Sequence, residues 1–256
     1  MGSGAMDYET EHPGCQPDNG KVVYDWKKHL QSLLFPVHCR LCAVRSGSTV
    51  PLCPDCATDL PWLESTCHQC GCALPAGDNR LLCGACQQQA PYFDATMALL
   101  QYRPPVDYLV QRLKFSGELA VAPLFSGLLA GHLSSRQAPL PDLVVPVPLH
   151  PSRLRERGFN QATEIARLLG RELQLPVNHR LCKRTRKTDA QSLLPVKIRH
   201  WNVRNAFTVT GEITARHVAI VDDVMTTGHT VNELARALKR AGAERVEVWV
   251  IARAGN

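Results

Sequence analysis

The sequence predicts an α/β fold, a mainly parallel sheet with helices on both faces, preceded by a small cysteine-rich module. Three observations predict it. Apolar runs such as Val218-Ala-Ile-Val221 lack the polar alternation of a half-exposed strand, so they belong to strands covered on both faces. These runs alternate with segments of helical period, the pattern of strand–helix–strand crossovers in a parallel sheet. Ahead of them, most of the eleven cysteines fall into C-x-x-C pairs among proline and glycine turns.

Residues 1–20 open with Met1-Gly-Ser-Gly-Ala-Met6, in the manner of an expression remnant, and read as a tag and flexible N-terminus. Residues 21–90 hold a short helix and the cysteine module. Trp26, Leu30, Leu33 and Leu34 share one helical face that ends at Phe35-Pro36, so an amphipathic helix is expected to pack on the module. Four knuckles follow: Cys39/Cys42, Cys53/Cys56, Cys67/Cys70 and Cys83/Cys86. A two-residue gap lets both thiolates of a knuckle face one metal ion, and two knuckles complete the tetrahedron that zinc favours. Disulfides suit a secretory chain, and the charged, polar first twenty residues lack a secretory apolar core.

Consecutive pairing of the knuckles closes loops of about ten to twelve residues and so costs the least entropy. It gives two tandem ribbons, each with a structural Zn²⁺, and an interleaved cross-brace is the alternative. Cys72 is a possible substitute for Cys70, and His38 and His68 flank ligand positions; all three read as spectators. Four thiolates leave no open coordination position, so the module serves support or recognition rather than catalysis.

Residues 91–256 form the second domain, with its boundary at Pro91. Phe93 to Tyr102 reads as its first strand, and Val106 to Leu133 as two helices around Lys114-Phe115-Ser-Gly117. Asp142 to Val147 is expected as the first parallel strand, then Gln161 to Leu169 as a helix ended by Gly170. Residues 177–181, 206–209, 218–221 and 246–251 supply further strands.

At 256 residues and 45% hydrophobic content, the chain can hold one α/β domain and a small module. No run approaches the ~18 apolar residues of a membrane span, so no membrane insertion is expected and the cytoplasm is the default location. The net charge of +6 is concentrated: residues 180–204 carry eight Lys/Arg against Asp189 alone, which leaves the rest of the chain at −1.

The stretch from Val218 to Thr230 points to chemistry. Asp222 and Asp223 stand at the C-terminal end of their strand, where ligands of open α/β sheets bind. Val224, Met225, Thr226, Thr227, Gly228, His229 and Thr230 lead into a helix expected to start with the capping box Thr230-Val-Asn-Glu233. The first N–H groups of a helix lack intrahelical partners and favour a phosphate dianion. Gly228 permits close backbone approach, the threonines add hydroxyl donors, and the carboxylates suit vicinal hydroxyls. The whole describes a site for a ribose bearing a 5′-phosphate.

This pattern resembles the signature of type I phosphoribosyltransferases, which bind 5-phosphoribosyl 1-pyrophosphate (PRPP) with Mg²⁺. Two further segments narrow the resemblance to the ComF-like family (competence protein F, GntX), from residue 37 to the C-terminus. They are Asp142-Leu-Val-Val-Pro-Val-Pro-Leu-His150 running into Arg155-Glu-Arg157-Gly158-Phe159-Asn160-Gln161, and Leu113-Lys114-Phe115-Ser-Gly117.

The resemblance implies a sheet of the type I phosphoribosyltransferase kind behind an N-terminal double zinc ribbon. It makes Asp222 and Asp223 the catalytic carboxylates, residues 224–230 the phosphate loop, and Pro148, Arg155 and Arg157 the grip on pyrophosphate. The basic segment becomes a flap over PRPP, matched at Arg184-Thr185, Thr188, Gln191, Arg199, Asn202 and Asn205-Ala-Phe207. The role implied is DNA uptake, natural transformation or use of external DNA, with single-stranded DNA and a helicase-like competence protein as partners. No base-recognition motif is visible, so a PRPP-sensing binding module and a salvage enzyme acting on a free base stay open.

Overall fold

Strand pairing follows the apolar runs in a computed structural model that describes residues 36–75, 77, 81–186 and 205–255. In chain order the elements are α1 (Pro54–Thr58), α2 (Gly84–Gln88), β1 (Ala95–Gln101), α3 (Val106–Phe115), a 3₁₀ turn (Leu119–Val121) and α4 (Ala122–Ser134). Then come β2 (Leu143–Pro146), α5 (Pro151–Arg157), α6 (Gln161–Glu172), β3 (Cys182–Arg184), β4 (Phe207–Val209), β5 (His217–Met225), α7 (His229–Arg240) and β6 (Arg245–Arg253). The sheet order is β1-β6-β5-β2 with every neighbour parallel, so the α/β class holds. The first parallel strand is therefore β1, earlier than the Asp142 strand expected to open the sheet.

Alternation along β5 and β6 divides their side chains between two cores, because successive residues point to opposite faces. Ala219, Val221, Trp249 and Ile251 pack with Leu129 and Leu133 of α4 and Ile165 and Leu169 of α6. Val218, Ile220, Val246, Val248 and Val250 pack under Val231, Leu234 and Leu238 of α7. Each such aliphatic side chain contributes about 1.5–3 kcal/mol when fully buried, so double coverage accounts for the lack of polar alternation.

Two local expectations change. Helix α6 runs through Gly170 to Glu172, and a Cβ at Gly170 would lie 2.3 Å from Val177 Cγ2. That glycine marks a close approach of chain to helix, not a stop. The strand expected at 177–181 reduces to one parallel bridge, Val144 to Val177. Asn178 Oδ1 accepts from the N–H groups of Arg180 (3.0 Å) and Leu181 (2.9 Å), which turns the chain before β3 pairs antiparallel with β4.

Residues from Val37 onward form one compact unit. Cys39, Leu52, Cys53 and Leu60 of the first ribbon join the core containing Leu99, Leu109 and Phe125, and Cys70 of the second packs on the other core beside Phe93. The helix expected over Trp26 to Leu34 lies outside the described residues, as do Thr188, Gln191, Arg199 and Asn202 of the basic segment. Among the described residues no helix is long and apolar enough to cross a membrane.

Candidate functional site

The paired carboxylates sit within β5, whose pairing with β6 continues to Met225. Asp223 is 2% exposed, and its Oδ2 lies 2.9 Å from Lys114 Nζ on α3. Burial works against charge on Lys114, but Asp223 and Asp222 outweigh it and hold its pKa above the usual lysine value. Asp222 is half-buried and accepts from the Asp223 N–H at 3.0 Å, while Asp223 Oδ1 accepts from the Val224 N–H at 2.8 Å. Burial, followed by the charge of Asp223, pushes Asp222 up to about 8 although Lys114 opposes the shift. The charged form of Asp222 is thus disfavoured until more positive charge or hydrogen-bond donors arrive.

Beyond the carboxylates, Val224, Met225, Thr226, Gly228, His229 and Thr230 line a hollow of about 60 Å³ together with Asp222. Thr227 is exposed at the tip of this turn. Gly228 is the N-cap of α7 with φ +77°, a backbone state that costs glycine least. The expected capping box does not form, because α7 already starts at His229 and has no side-chain cap. Glu233 is drawn elsewhere: its Oε2 accepts from Asn205 N (2.9 Å) and from Arg236 (2.6 Å). The hollow therefore opens at a helix start led by a glycine, where close approach of an oxyanion to the first turn is sterically open.

The hollow adjoins a larger cleft of about 810 Å³ that shares Asp222, Val224, Thr226 and Thr230 with it and adds Asp223, Lys114 and Arg184. From α5 come Arg153 and Arg157, four residues apart and so on one face. Arg155 is exposed and does not line the cleft; Pro148 is buried between the lining residues Val147 and Leu149. Arg157 lies 5.4 Å from the Phe115 ring centroid and donates to Gln161 Oε1 at 2.6 Å, while Arg184 stands 5.5 Å from the Phe207 ring. Burial, then the charge of Arg153, lowers the pKa of Arg184. These guanidinium groups crowd one another, as groups meant to share an anion do.

Asn160 and Gln161 now have separate roles. Asn160 accepts from Ala162 N at 3.1 Å as the cap of α6 and donates to Val147 O at 2.9 Å, fixing the turn after β2. Gln161 is buried and holds Arg157. Sequence reasoning assigned no role to Lys114, Tyr102, Gln111 or Phe159, all of which line the cleft. Arg153 follows the same turn as Arg155 and Arg157 in the sequence, and its spacing from Arg157 places it on the cleft side. Lys114 lies in the segment from Leu113 to Gly117 that carries the resemblance, but its role could not be read there, since its partner arrives only when α3 packs beside β5.

The knuckles gather consecutively into two tetrads, Cys39/Cys42/Cys53/Cys56 and Cys67/Cys70/Cys83/Cys86, with the sulfurs of each within 4.8 Å of one another. Sulfurs at about 2.3 Å from a tetrahedral zinc stand about 3.8 Å apart. The separations of Cys42 from Cys53 (3.5 Å) and Cys70 from Cys83 (3.6 Å) fit that demand. Burial raises the Cys39 thiol, but the backbone N–H groups of Cys53, Cys42 and Leu41 outweigh it and bring it to about 6. His38 and His68 stand outside both tetrads, and Cys72 is buried beside Cys67 and Cys86.

Residues 154–256 match the phosphoribosyl transferase domain and residues 30–91 the double zinc ribbon domain. The chain is 38% identical to the DNA utilization protein YhgH of Escherichia coli K12, over 79% of this chain and 90% of that protein. It is 34% identical to competence protein F of Haemophilus influenzae, over 85% of this chain and 96% of that one. Among solved structures, adenine phosphoribosyltransferase from Leishmania tarentolae matches with a TM-score of 0.37 at 12% identity, over 61% of this chain and 91% of that one.

Proposed function

The chain belongs to the family of competence protein F and the DNA utilization proteins, and on that premise we propose that its cleft binds PRPP with Mg²⁺ in a DNA-handling protein of the cytoplasm. One observation carries the reading. The glycine-led start of α7, the Asp222–Asp223 pair and the Arg153, Arg157 and Arg184 guanidinium groups all open into adjoining parts of one cleft. That order fits, in turn, a 5′-phosphate, ribose hydroxyls and a pyrophosphate.

In this reading the N–H groups after Thr226 take the 5′-phosphate. Asp222 accepts hydrogen bonds from the ribose hydroxyls and gives up its proton as they bind. Arg153, Arg157 and Arg184 spread charge over the pyrophosphate through planar forks. Oxygen donors such as Asp222 and the ligand hydroxyls suit Mg²⁺, which when bound neutralises charge between ribose and pyrophosphate. Were an acceptor nucleophile to enter, its bond to the anomeric carbon would form as the bond to pyrophosphate breaks, through positive character on that carbon; the chain then needs no nucleophile of its own, and Asp222, Asp223 and the held leaving group supply position and charge.

Tyr102, Phe115 and Phe159 line the cleft, and this favours a second reading in which a planar acceptor lies there and receives the phosphoribosyl group. Single-stranded DNA is proposed as a partner of the basic segment, with binding that weakens steeply as salt rises. Arg184 is buried in the cleft, so the exposed Arg180, Lys183 and Arg186 are the described groups left for that contact. Calorimetry with PRPP and Mg²⁺ tests the proposal: saturable binding to one site is expected, lost in Asp222→Ala, and no heat from a folded, zinc-loaded protein would refute it.

A further inference from the structure

The second ribbon and the phosphate loop meet on a single side chain, Arg253, the last residue of β6. Its Nε donates to the carbonyl of Cys70 at 3.1 Å. Its Nη1 donates to the carbonyl of Met225 at 3.3 Å and also reaches those of Thr226 and Ala254. Cys70 belongs to the second cysteine tetrad, and Met225 and Thr226 line the hollow at the start of α7. Among the described residues Arg253 makes no ion pair, so its charge is directed at backbone carbonyls on both sides.

The knuckle is fastened at two more points. Thr96 N donates to His68 O at 3.0 Å, and Thr96 Oγ1 donates to Gln69 O at 2.6 Å. Three successive carbonyls, those of His68, Gln69 and Cys70, are thus bonded to β1 and β6, which pair with each other. The first ribbon is tied differently. Cys39, Leu52 and Cys53 enter the apolar core, Arg40 reaches Glu118 at 3.6 Å, and the chain after the ribbon bonds β1 through Leu63 N to Leu99 O (2.9 Å) and Gln101 N to Pro61 O (2.8 Å), contacts that do not involve residues 225–230.

A guanidinium holds its donors in one rigid plane, so a shift of the Cys70 carbonyl is passed to the carbonyls of Met225 and Thr226. We propose that Arg253 is a positioning residue through which the metal-filled second ribbon fixes the shape of the phosphate loop. The proposal rests on the reading of the hollow as the seat of the 5′-phosphate. Ordering of the Cys67/Cys70/Cys83/Cys86 tetrad by zinc holds the Cys70 carbonyl, which holds Arg253, which keeps the loop open toward the ligand. Linkage makes the effect reciprocal: PRPP in the cleft slows loss of zinc from the second ribbon and leaves the first unaffected.

The test uses the full chain loaded with zinc. Release of both ions to a zinc-selective chromophoric chelator is followed with and without PRPP and Mg²⁺, and PRPP affinity is measured by calorimetry. In the wild type, PRPP slows one of the two release phases. Arg253→Gln keeps both zinc ions, binds PRPP roughly tenfold more weakly, as loss of a charge-assisted bond implies, and loses the protection. Arg253→Lys, which keeps charge without the fork, lies between. Should Arg253→Gln fail to fold, Thr96→Val decides, since it removes the Gln69 tie alone and is expected to reduce the protection. Unchanged affinity and protection in the variants overturns the proposal while the PRPP reading stands. No PRPP binding by the wild type removes the reading itself, and the proposal with it.

Discussion

Lys114 on α3 and Asp223 on β5 form an ion pair at 2.9 Å, with the carboxylate 2% exposed at the floor of the cleft. The pair explains how β5 carries two adjacent acids into a buried position. Lys114 offsets one of them, and the charge of Asp222 stays disfavoured until a ligand brings hydroxyls and cations.

Loss of the lysine should therefore cost stability. Lys114→Met is expected to destabilise the fold by about 2–3 kcal/mol, below the ~3–5 kcal/mol of breaking a fully buried pair because Lys114 keeps some solvent access. Asp223→Asn in the same chain recovers most of that loss. Urea denaturation of the two single variants and the double at pH 7 checks this, and simple additivity would contradict it.

Asp222 governs the pH dependence. Its pKa is raised from 3.8 to about 8, so the folded state binds the proton more tightly than the unfolded chain. The contribution is fully present below the unfolded value and is lost as pH rises toward 8, so stability falls across that window. Asp222→Asn flattens the fall and raises the melting temperature at pH 8. A titration of melting temperature against pH in both proteins decides it. In the wild type at pH 7, PRPP binding should also release a proton, visible as a dependence of calorimetric heat on buffer ionisation enthalpy.

The arginines of α5 separate by face. Arg153→Ala and Arg157→Ala are expected to weaken PRPP by roughly tenfold or more, as for charge-assisted bonds to phosphate. Arg155→Ala, exposed on the other side of the helix, changes affinity by less than about twofold. Equal losses at all three positions would show a diffuse field instead of a grip.

Two zinc ions per chain are expected by elemental analysis, and chelation should lower the melting temperature. Cys39→Ser retains one ion, and so does Cys67→Ser. Because Cys39 is buried in the main core, its replacement costs more stability than that of Cys42, which is exposed. A single ion in the wild type would contradict the two closed tetrads.

What could be read ahead of the structure was whatever depends on short sequence separation. The four knuckles, the doubly buried strand before Asp222 and the glycine turn into α7 are local patterns, and the tetrads and sheet form as their spacing requires. Glu233 shows the limit: its spacing from Thr230 fits a capping box, yet Asn205 and Arg236 offer it better partners once β4 lies beside α7. Gly170 likewise reads as a stop until Val177 is seen pressed against it. Lys114, Arg184 and Arg253 gain their meaning only from chain segments brought in by packing, and no local signal encodes that.

The measurement that bears most directly on the central claim is a structure of the zinc-loaded protein with PRPP and Mg²⁺. The account places the 5′-phosphate in the hollow at residues 226–230, the ribose hydroxyls on Asp222 and the pyrophosphate among Arg153, Arg157 and Arg184. A phosphate seated away from the start of α7, or a cleft in which the ligand leaves Asp222 untouched, would contradict it.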